Sequence, residues 1–215
     1  MVLLAGCWVL VGGCKDEGGG IEKAQKKLRK ALAPLAALSS PRRGWGKITL
    51  KVFVVRPAEK ARWRKQTGRK WSPIALGSRL AQSDDSGKQV ELGGGRVEVW
   101  AVAWDPTGQA EGMGVALVWF KDGRSYCLPQ PRVMARYPGI KGVAAWAGVW
   151  MEAGWGARVL AGLGLGGLGK GEGRCYGRFR VELRPLKGIR TRKDGRVMAI
   201  AGQRLLASKG LEIKP

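Results

Sequence analysis

The sequence predicts an α+β fold in which helices pack on an antiparallel sheet. Residues 47–55, 96–104 and 113–120 are rich in β-branched residues and bounded by turn signals, which is typical of strands. The segment 143–163 is apolar, with tryptophans at helical spacing, and this predicts a buried helix packed on the sheet. Because 45% of the 215 residues are hydrophobic, the chain can bury the core that such a fold requires.

The order of the elements follows from the turn residues between them. In the first strand every second residue is apolar, and the shared face consists of Ile48, Leu50, Val52 and Val54. Pro57 is expected to end this strand. The next two strands are joined by turn residues 105–112, which predicts an antiparallel hairpin. Further strands are expected over 176–183, where Pro185 would end the strand, and over 196–201.

The composition divides the chain into an N-terminal region, 1–40, and a main domain, 41–215. The chain starts with an apolar run that is too short for a transmembrane helix. Two boxes similar to lipoprotein cleavage sites end at Cys7 and Cys14, but no Lys or Arg precedes the run, as a signal peptide requires. We therefore expect a packed apolar segment, followed by a basic amphipathic helix over 21–38, with a lipoprotein signal as the alternative.

The charge of the chain favours a polyanionic partner. Lys and Arg number 39 against 16 Asp and Glu, a net charge of +23, which indicates nucleic acid or an anionic membrane. A general solubility charge is the alternative. One segment mixes cations with indoles, as a single-stranded nucleic-acid channel does. Its candidate binding residues are Arg62, Trp63, Arg64, Lys65, Arg69 and Lys70. The same mixture also fits a surface loop whose tryptophans dip into the core.

A second candidate binding segment is rich in glycine. Seven of the twelve residues in 162–173 are glycine, and cations and aromatics follow. Glycine has no Cβ, so this backbone can approach a ligand closely. The candidate binding residues here are Gly167, Gly169, Lys170, Gly171, Arg174, Tyr176, Gly177, Arg178 and Arg180. A purely structural loop is the alternative. A phosphate-binding Walker loop is excluded, because Gly171 stands where that motif has a hydroxyl residue.

The residue types argue against catalysis. The chain has no histidine, which removes the commonest general base and metal ligand. The four cysteines form no CxxC pair, so we expect buried thiols in a cytoplasmic protein and no metal site or cofactor. Asp84 and Asp85 lie in a turn, where aspartate is common for local hydrogen bonding. RNA cleavage by one of these two carboxylates is the alternative to a non-catalytic protein.

One motif resembles a known family. The run Gly167-Leu-Gly-Lys-Gly-Glu-Gly-Arg-Cys-Tyr-Gly-Arg-Phe179, placed between a predicted helix and a strand, is similar to the glycine-rich loop of the RAMP superfamily. These are the RNA-binding proteins of CRISPR systems. Cys175 departs from the family pattern, which usually has glycine there. The resemblance implies an RRM-like, or ferredoxin-like, core that binds CRISPR RNA inside a multisubunit complex. The chain lacks the aromatic signature with which ordinary RRM domains read RNA.

These observations together predict a non-catalytic RNA-binding subunit of a CRISPR-type ribonucleoprotein. Its partners would be CRISPR RNA and other protein subunits, and no membrane is expected. Two other functions stay open at this point. One is a bacterial envelope lipoprotein. The other is a structural protein of a phage or other large assembly that binds nucleic acid through charge alone.

Overall fold

The described part of the chain is mainly a β-structure. The computed structural model describes residues 45, 47–93, 95–152, 155–160, 176–192 and 197–215. These residues contain eleven strands but a single α-helix. The predicted α+β fold, with an RRM-like or ferredoxin-like sheet and several packed helices, is therefore wrong.

The elements follow one another in a simple order. The N-terminal half contains β1 (Thr49–Val55), α1 (Pro57–Thr67), a 3-10 helix (Pro73–Arg79), β2 (Gln89–Glu91), β3 (Arg96–Asp105) and β4 (Gly114–Lys121). The C-terminal half contains β5 (Arg124–Ser125), β6 (Gln130–Val133), β7 (Val143–Glu152), β8 (Trp155–Leu160), β9 (Gly177–Thr191), β10 (Val197–Ala201) and β11 (Ala207–Lys214).

The strands form two sheets. The four-stranded sheet has the order β1-β3-β7-β8, and every pair in it is antiparallel. The seven-stranded sheet has the order β2-β11-β9-β4-β5, with β10 also paired to β9 and β6 to β4. Its β2–β11 pair is parallel and its other pairs are antiparallel.

The two sheets share one hydrophobic core. The four-stranded sheet contributes residues such as Val52 and Val99, and the seven-stranded sheet contributes residues such as Trp119 and Val181. The predicted alternation of β1 is confirmed, because Ile48, Leu50, Val52 and Val54 all contact this core. Phe53 points to the opposite face, where it packs in a second cluster under the 3-10 helix. The four-stranded sheet is therefore covered on both faces.

The predicted buried helix over 143–163 is wrong, because the described part of this segment forms β7 and β8. Trp146 and Trp150 are four residues apart, a spacing that fits one face of a helix and one face of a strand equally well. In the structure they share the outer face of β7, while Ala147 and Val149 are buried toward the core. Gly148 lies directly against Trp100 of β3, where a Cβ would come within 2.8 Å of the indole ring.

The predicted hairpin between 96–104 and 113–120 is also wrong. Both strands exist, but β3 pairs with β1 and β7, whereas β4 pairs with β5, β6 and β9 in the other sheet. The turn between them crosses from one sheet to the other and is held by the buried carboxylate of Asp105. Its Oδ1 accepts hydrogen bonds from the Thr107 amide at 2.9 Å and hydroxyl at 2.6 Å, and its Oδ2 accepts one from the Ala110 amide at 2.8 Å.

The two prolines behave differently from each other. Strand β1 ends before Pro57 as predicted, but Pro57 then begins α1, a position that suits its fixed φ. Pro185 does not end its strand, since β9 continues to Thr191. The proline carbonyl accepts a hydrogen bond from the Gly202 amide at 2.7 Å. The last predicted strand, 196–201, is confirmed as β10.

Several predictions fall on residues that the structure does not describe. These are the N-terminal region 1–40 with its basic helix, and most of the glycine-rich segment, 161–175. Among the described residues, no helix has the length and apolar character needed to cross a membrane.

Candidate nucleic-acid interface

Helix α1 is a surface helix that carries the predicted basic-aromatic segment. It ends at Gly68, whose φ of 68° is left-handed and whose amide donates to the Arg64 carbonyl at 2.9 Å. No side chain of α1 is fully buried. This part of the basic-aromatic segment is therefore a helix and not a surface loop, and it presents most of its surface to solvent.

Polar contacts hold α1 against the four-stranded sheet. The Lys60 ammonium donates to Oε1 of Glu98 at 2.7 Å, and Glu98 is only 4% exposed. The Trp100 indole donates to the other oxygen of Glu98 at 3.1 Å. A second ion pair joins Arg79 of the 3-10 helix to Glu59 of α1 at 3.0 Å. These contacts fix which side of α1 faces the sheet.

The two tryptophans of this segment are both partly buried, and Trp71 packs on the sheet. Trp63 is half-buried, and its indole nitrogen is shielded from water without a hydrogen-bond partner. Trp71 packs against Trp100 with ring centroids 5.4 Å apart, and the Lys60 ammonium lies 5.2 Å from the Trp71 ring. Trp71, just beyond α1, thus packs on the sheet, as in the alternative interpretation of the sequence, in which the tryptophans dip into the core.

The cations of α1 face outward. Arg62, Arg64 and Lys65 are exposed on α1, and Arg69 and Lys70 are exposed just beyond its C-terminus. No hydrogen bond or ion pair joins the side chains of Arg62, Arg64, Lys65 or Arg69 to any other described residue. We call these four residues the α1 cations. They place four positive charges, without a described partner, within about two helical turns of chain.

A groove of about 910 Å³ lies at the N-terminal end of α1. Its charged lining consists of Arg56, Glu59, Arg62, Arg79, Asp85, Lys88, Glu91 and Lys214. Arg79 and Lys88 are paired with Asp85 at 3.1 Å and 2.8 Å. Lys214 follows Ile213, which pairs with Gly177 at the start of β9. The structure therefore brings the α1 cations and the end of the glycine-rich segment to the same end of the molecule.

The described residues of the glycine-rich segment differ in exposure. Tyr176 is half-buried against the core, while Arg178 is exposed. Arg180 stacks on Phe120, 4.9 Å from the ring centroid, and pairs with Glu182 at 3.1 Å. The other predicted residues here, Gly167, Gly169, Lys170, Gly171 and Arg174, lie outside the described residues.

The β4–β5 turn fixes the point where this segment becomes strand β9. Oδ1 of Asp122 accepts a hydrogen bond from the Arg178 amide at 3.0 Å, and the Asp122 amide donates to the Arg178 carbonyl at 2.9 Å. The hydrogen bond from Lys121 and that from the Arg178 amide lower the pKa of Asp122. Gly177 has a φ of 129°, and a Cβ there would lie 2.7 Å from Asp122 Oδ1. This contact explains the glycine.

The two aspartates considered for RNA cleavage have structural roles. Asp85 covers the free edge of β1, because its amide donates to the Val52 carbonyl at 2.7 Å and its Oδ2 accepts from the Val54 amide at 2.8 Å. Burial alone would raise the pKa of Asp84, but hydrogen bonds from Ser86 and the nearby Lys209 lower it. No cluster of three or more metal-ligating side chains occurs in the described residues.

Sequence reasoning missed the aromatic character of the sheet under α1. The outer face of β3 and β7 carries four tryptophans: Trp100, Trp104, Trp146 and Trp150. Cations already lie on two of them, with Arg96 at 3.4 Å from Trp150 and Lys51 at 5.9 Å from Trp104. Trp100 and Trp104 are four residues apart in sequence, and so are Trp146 and Trp150. Two residues at this spacing on a strand lie on the same face, so the sequence did contain a signal for this surface.

Arg132 is a buried cation beside this face and is well paired, whereas the indole nitrogen of Trp150 is buried without a hydrogen-bond partner. The guanidinium of Arg132 donates to the Trp146 carbonyl at 2.6 Å and to Oε1 of Gln130 at 2.9 Å, and burial lowers the pKa of Arg132 to about 10. Burial raises the pKa of Tyr137, whose ring packs 4.2 Å from that of Trp146. This part of the sheet is packed structure, and the unpaired cations lie elsewhere.

Comparison with known proteins does not assign this chain to a family. The amino-acid sequence matches no protein-family model and no curated protein.

Proposed function

We propose that this protein is a non-catalytic RNA-binding subunit of a ribonucleoprotein, and that the α1 cations make its principal contact with RNA. One observation carries the proposal. Helix α1 is docked through Lys60 and Glu59, on the side that faces the sheet, and its outward side carries Arg62, Arg64 and Lys65, which have no acidic partner among the described residues. A cluster of unpaired cations on a rigid element is a contact surface for phosphates.

The buried or partly buried acidic residues pair with other cations, which explains why the α1 cations have no described acidic partner. Glu98 pairs with Lys60 and Arg96, and Glu182 pairs with Arg180 and Arg184. Asp85 likewise pairs with two cations, Arg79 and Lys88. Since the chain has 39 basic and only 16 acidic residues, the excess charge must remain unpaired somewhere on the surface. The unpaired charge attracts polyanions at a rate and affinity that depend on salt.

The shape of the site suits a single strand. The groove at the N-terminus of α1 connects Arg62 with Lys214, and through Ile213 with the start of β9, where Arg178 is exposed. A flexible strand can follow these cations around the end of the molecule, whereas a stiff duplex cannot bend so sharply. The absence of histidine, which removes the commonest general base, favours binding without cleavage.

The narrower assignment to a CRISPR complex stays a prediction. It depended on the RAMP-like loop and implied an RRM-like fold, and that fold is not the fold of this chain. Residues 177–179 do begin a strand, as the resemblance requires, but β8 rather than a helix precedes the glycine-rich segment. The proposal therefore names RNA binding and does not depend on the RAMP relationship.

The proposal is tested by neutralising the α1 cations. In the variant Arg62→Gln/Arg64→Gln/Lys65→Gln/Arg69→Gln, the affinity for a fluorescent 20-nucleotide RNA should fall by at least tenfold at 0.15 M salt, since each lost phosphate contact weakens binding. Fluorescence anisotropy measures this directly. The control neutralises four exposed cations elsewhere: Lys47, Arg124, Lys141 and Arg136, the last of which is paired with Glu111 at 2.9 Å. An equal loss of affinity in both variants would contradict the role of α1.

The kind of nucleic acid needs a separate measurement. We expect RNA to co-purify with the native protein, and sequencing of the bound material to return a defined population. A mixture of DNA and RNA without preference would contradict the proposal. It would favour instead a packaging protein that binds through charge alone.

A further inference from the structure

The last part of β9 leaves its neighbours in the seven-stranded sheet. It pairs with β11 as far as Leu183 and with β4 as far as Pro185. From Leu186 to Thr191 it pairs with β10. The end of β9 and β10 therefore form a two-stranded antiparallel ribbon, and the Ala199 amide of β10 donates to the Pro129 carbonyl, next to β6, at 2.9 Å.

The two faces of this ribbon differ. Ile189 and Ala199 lie opposite each other and pack with Leu186 and Ala116, so this face is bound to the sheet. The next pairs, Arg190 with Met198 and Gly188 with Ile200, lie on the other face. Ile200 is 44% exposed there and packs in none of the hydrophobic clusters of the described residues. One face of the ribbon is thus open to solvent.

The open ribbon is strongly basic. Lys187, Arg190 and Arg192 are exposed on β9 and at its end, and Arg204 is exposed in the loop before β11. None of the four forms a hydrogen bond or ion pair with the side chain of another described residue. The acid nearest to them along β9, Glu182, is paired with Arg180 and Arg184. We call Lys187, Arg190 and Arg192 the ribbon cations.

The ribbon and α1 lie on opposite sides of the two-sheet core. Helix α1 docks through Lys60 on Glu98, on the face of β3 that carries Trp100 and points away from the core between the sheets. The ribbon packs on Ala116 of β4, whose neighbours Val115 and Leu117 point into that core. Stacked sheets lie about 10 Å apart, so both sheets and more than the Debye length of about 8 Å separate the two surfaces. Phosphates bound at one surface therefore have little effect on the other.

We propose that the β9–β10 ribbon is a second, independent nucleic-acid-binding surface, so that one protein molecule holds two RNA strands at once. This inference rests on the proposed function, because it assigns the same class of ligand to a second site. The ribbon cations contact phosphates, and the exposed Ile200 side chain covers apolar parts of the sugar and base. The protein would then bridge two RNA segments rather than coat one.

The experiment is a bridging assay with the full-length protein. A biotinylated RNA is immobilised, and retention of a second, fluorescent RNA of unrelated sequence is measured after addition of protein. Light scattering establishes the mass of the complex in the same buffer. We expect the wild-type protein to retain the second RNA as a monomer. The variant Lys187→Gln/Arg190→Gln/Arg192→Gln should bind the immobilised RNA but retain at least fivefold less of the second RNA.

Two further variants separate charge from folding. The substitution Arg190→Lys/Arg192→Lys keeps the charge and should preserve bridging. The triple variant Lys47→Gln/Arg124→Gln/Lys141→Gln removes the same charge from scattered exposed positions and should also preserve it. Thermal melting followed by circular dichroism should give the same transition for all three variants, because every altered side chain is exposed.

The possible outcomes are distinct. Undiminished bridging by the ribbon variant, or bridging by the wild type only as an oligomer, overturns the second site and leaves the proposed function intact. If the wild type binds one RNA but does not bridge two, the second site is also overturned and the proposed function stays intact. Failure of the wild type to bind RNA contradicts the proposed function itself. Ribbon-dependent binding to vesicles of anionic phospholipid, without bridging of RNA, would assign the ribbon to a membrane surface instead.

Discussion

The ammonium of Lys60 on α1 lies 2.7 Å from Oε1 of Glu98 on β3, and this ion pair determines which side of the helix faces solvent. Glu98 is buried and also accepts a hydrogen bond from Trp100. Since no side chain of α1 is fully buried, hydrophobic burial contributes little to its docking. The orientation of the proposed RNA-binding surface therefore depends on a polar contact.

Removing this contact should loosen α1. In Lys60→Met, Glu98 keeps Arg96 and Trp100 as partners but loses its closest cation, and we expect a loss of about 1–3 kcal/mol in the free energy of unfolding. Urea denaturation measures the change. Lys65→Met is the control, because Lys65 is exposed on the same helix without a described partner. Equal stabilities of the two variants would show that the ion pair does not hold α1.

The contact between Gly177 and Asp122 makes a separate prediction. Gly177→Ala places a Cβ at a φ of 129° and 2.7 Å from Asp122 Oδ1, so we expect a loss of about 1–3 kcal/mol. The matched control is Gly188→Ala on the same strand, where the nearest atom would be Ile200 Cδ1 at 3.7 Å. In thermal unfolding, the Gly177→Ala variant should melt at a lower temperature than the Gly188→Ala variant. A Gly177 variant as stable as the Gly188 variant would mean that Asp122 does not constrain this position.

Asp105 predicts a specific pH dependence. Burial alone would raise the pKa of Asp105, but the hydrogen bonds from Thr107 and Ala110 lower it below its ordinary value of about 4. The ionised carboxylate therefore stabilises the fold above pH 4, and this contribution is lost as the pH falls through the folded pKa.

The variant Asp105→Asn measures this contribution. At pH 7 it should be about 2–4 kcal/mol less stable than the wild type, because the amide group of asparagine cannot accept from Ala110 and Thr107 together as the carboxylate does. At pH 3 the difference should shrink. Urea denaturation at the two pH values is the measurement, and a difference independent of pH would contradict the assignment.

Cys127 is predicted to be chemically inert in the folded protein. It is 5% exposed, and burial raises the pKa of its thiol to about 12, so almost no thiolate exists at pH 8. In a variant that replaces Cys7, Cys14 and Cys175 by Ser, a thiol-specific reagent should react at least a hundredfold more slowly than with the same protein in denaturant. Rapid labelling without denaturant would show that this part of the core opens readily.

The strands of this protein could be predicted from sequence better than their pairing. Val, Ile and Trp at alternate positions identify β1, β3 and β4, since each has one face in the core. Nothing in the turn after Asp105 distinguishes a hairpin from a crossing between sheets, because the same turn residues serve both. The crossing between sheets depends on the burial of Asp105, which is a property of the tertiary structure and not of the local sequence.

The helices were the weaker part of the prediction. The segment from Val143 is rich in Ala and Gly and contains two tryptophans four residues apart, a pattern that fits a helix as well as a strand. It forms strands because Gly148 accommodates the Trp100 ring of the neighbouring strand, a contact between residues far apart in sequence. Pro57, in contrast, carries a local helix-start signal that sequence reasoning could have used.

The candidate site was found in part. The cluster of Arg62, Arg64 and Lys65 is visible in the sequence, and the structure places these residues on an exposed helix. Whether Trp63 faced bases or the sheet could not be predicted, because the direction of a side chain depends on what the helix packs against. The ribbon cations could not be predicted as a surface, because the sequence did not suggest that β9 continues past Pro185.

The salt dependence of RNA binding tests the central claim most directly. The logarithm of the affinity should fall linearly with the logarithm of the salt concentration, with a slope of about 0.7 for each phosphate neutralised on a single strand. In the variant that changes Arg62, Arg64, Lys65 and Arg69 to Gln, the account predicts a slope smaller in magnitude by about 2–3 than that of the wild type. An unchanged slope would contradict it, since the α1 cations would then make no contact with RNA.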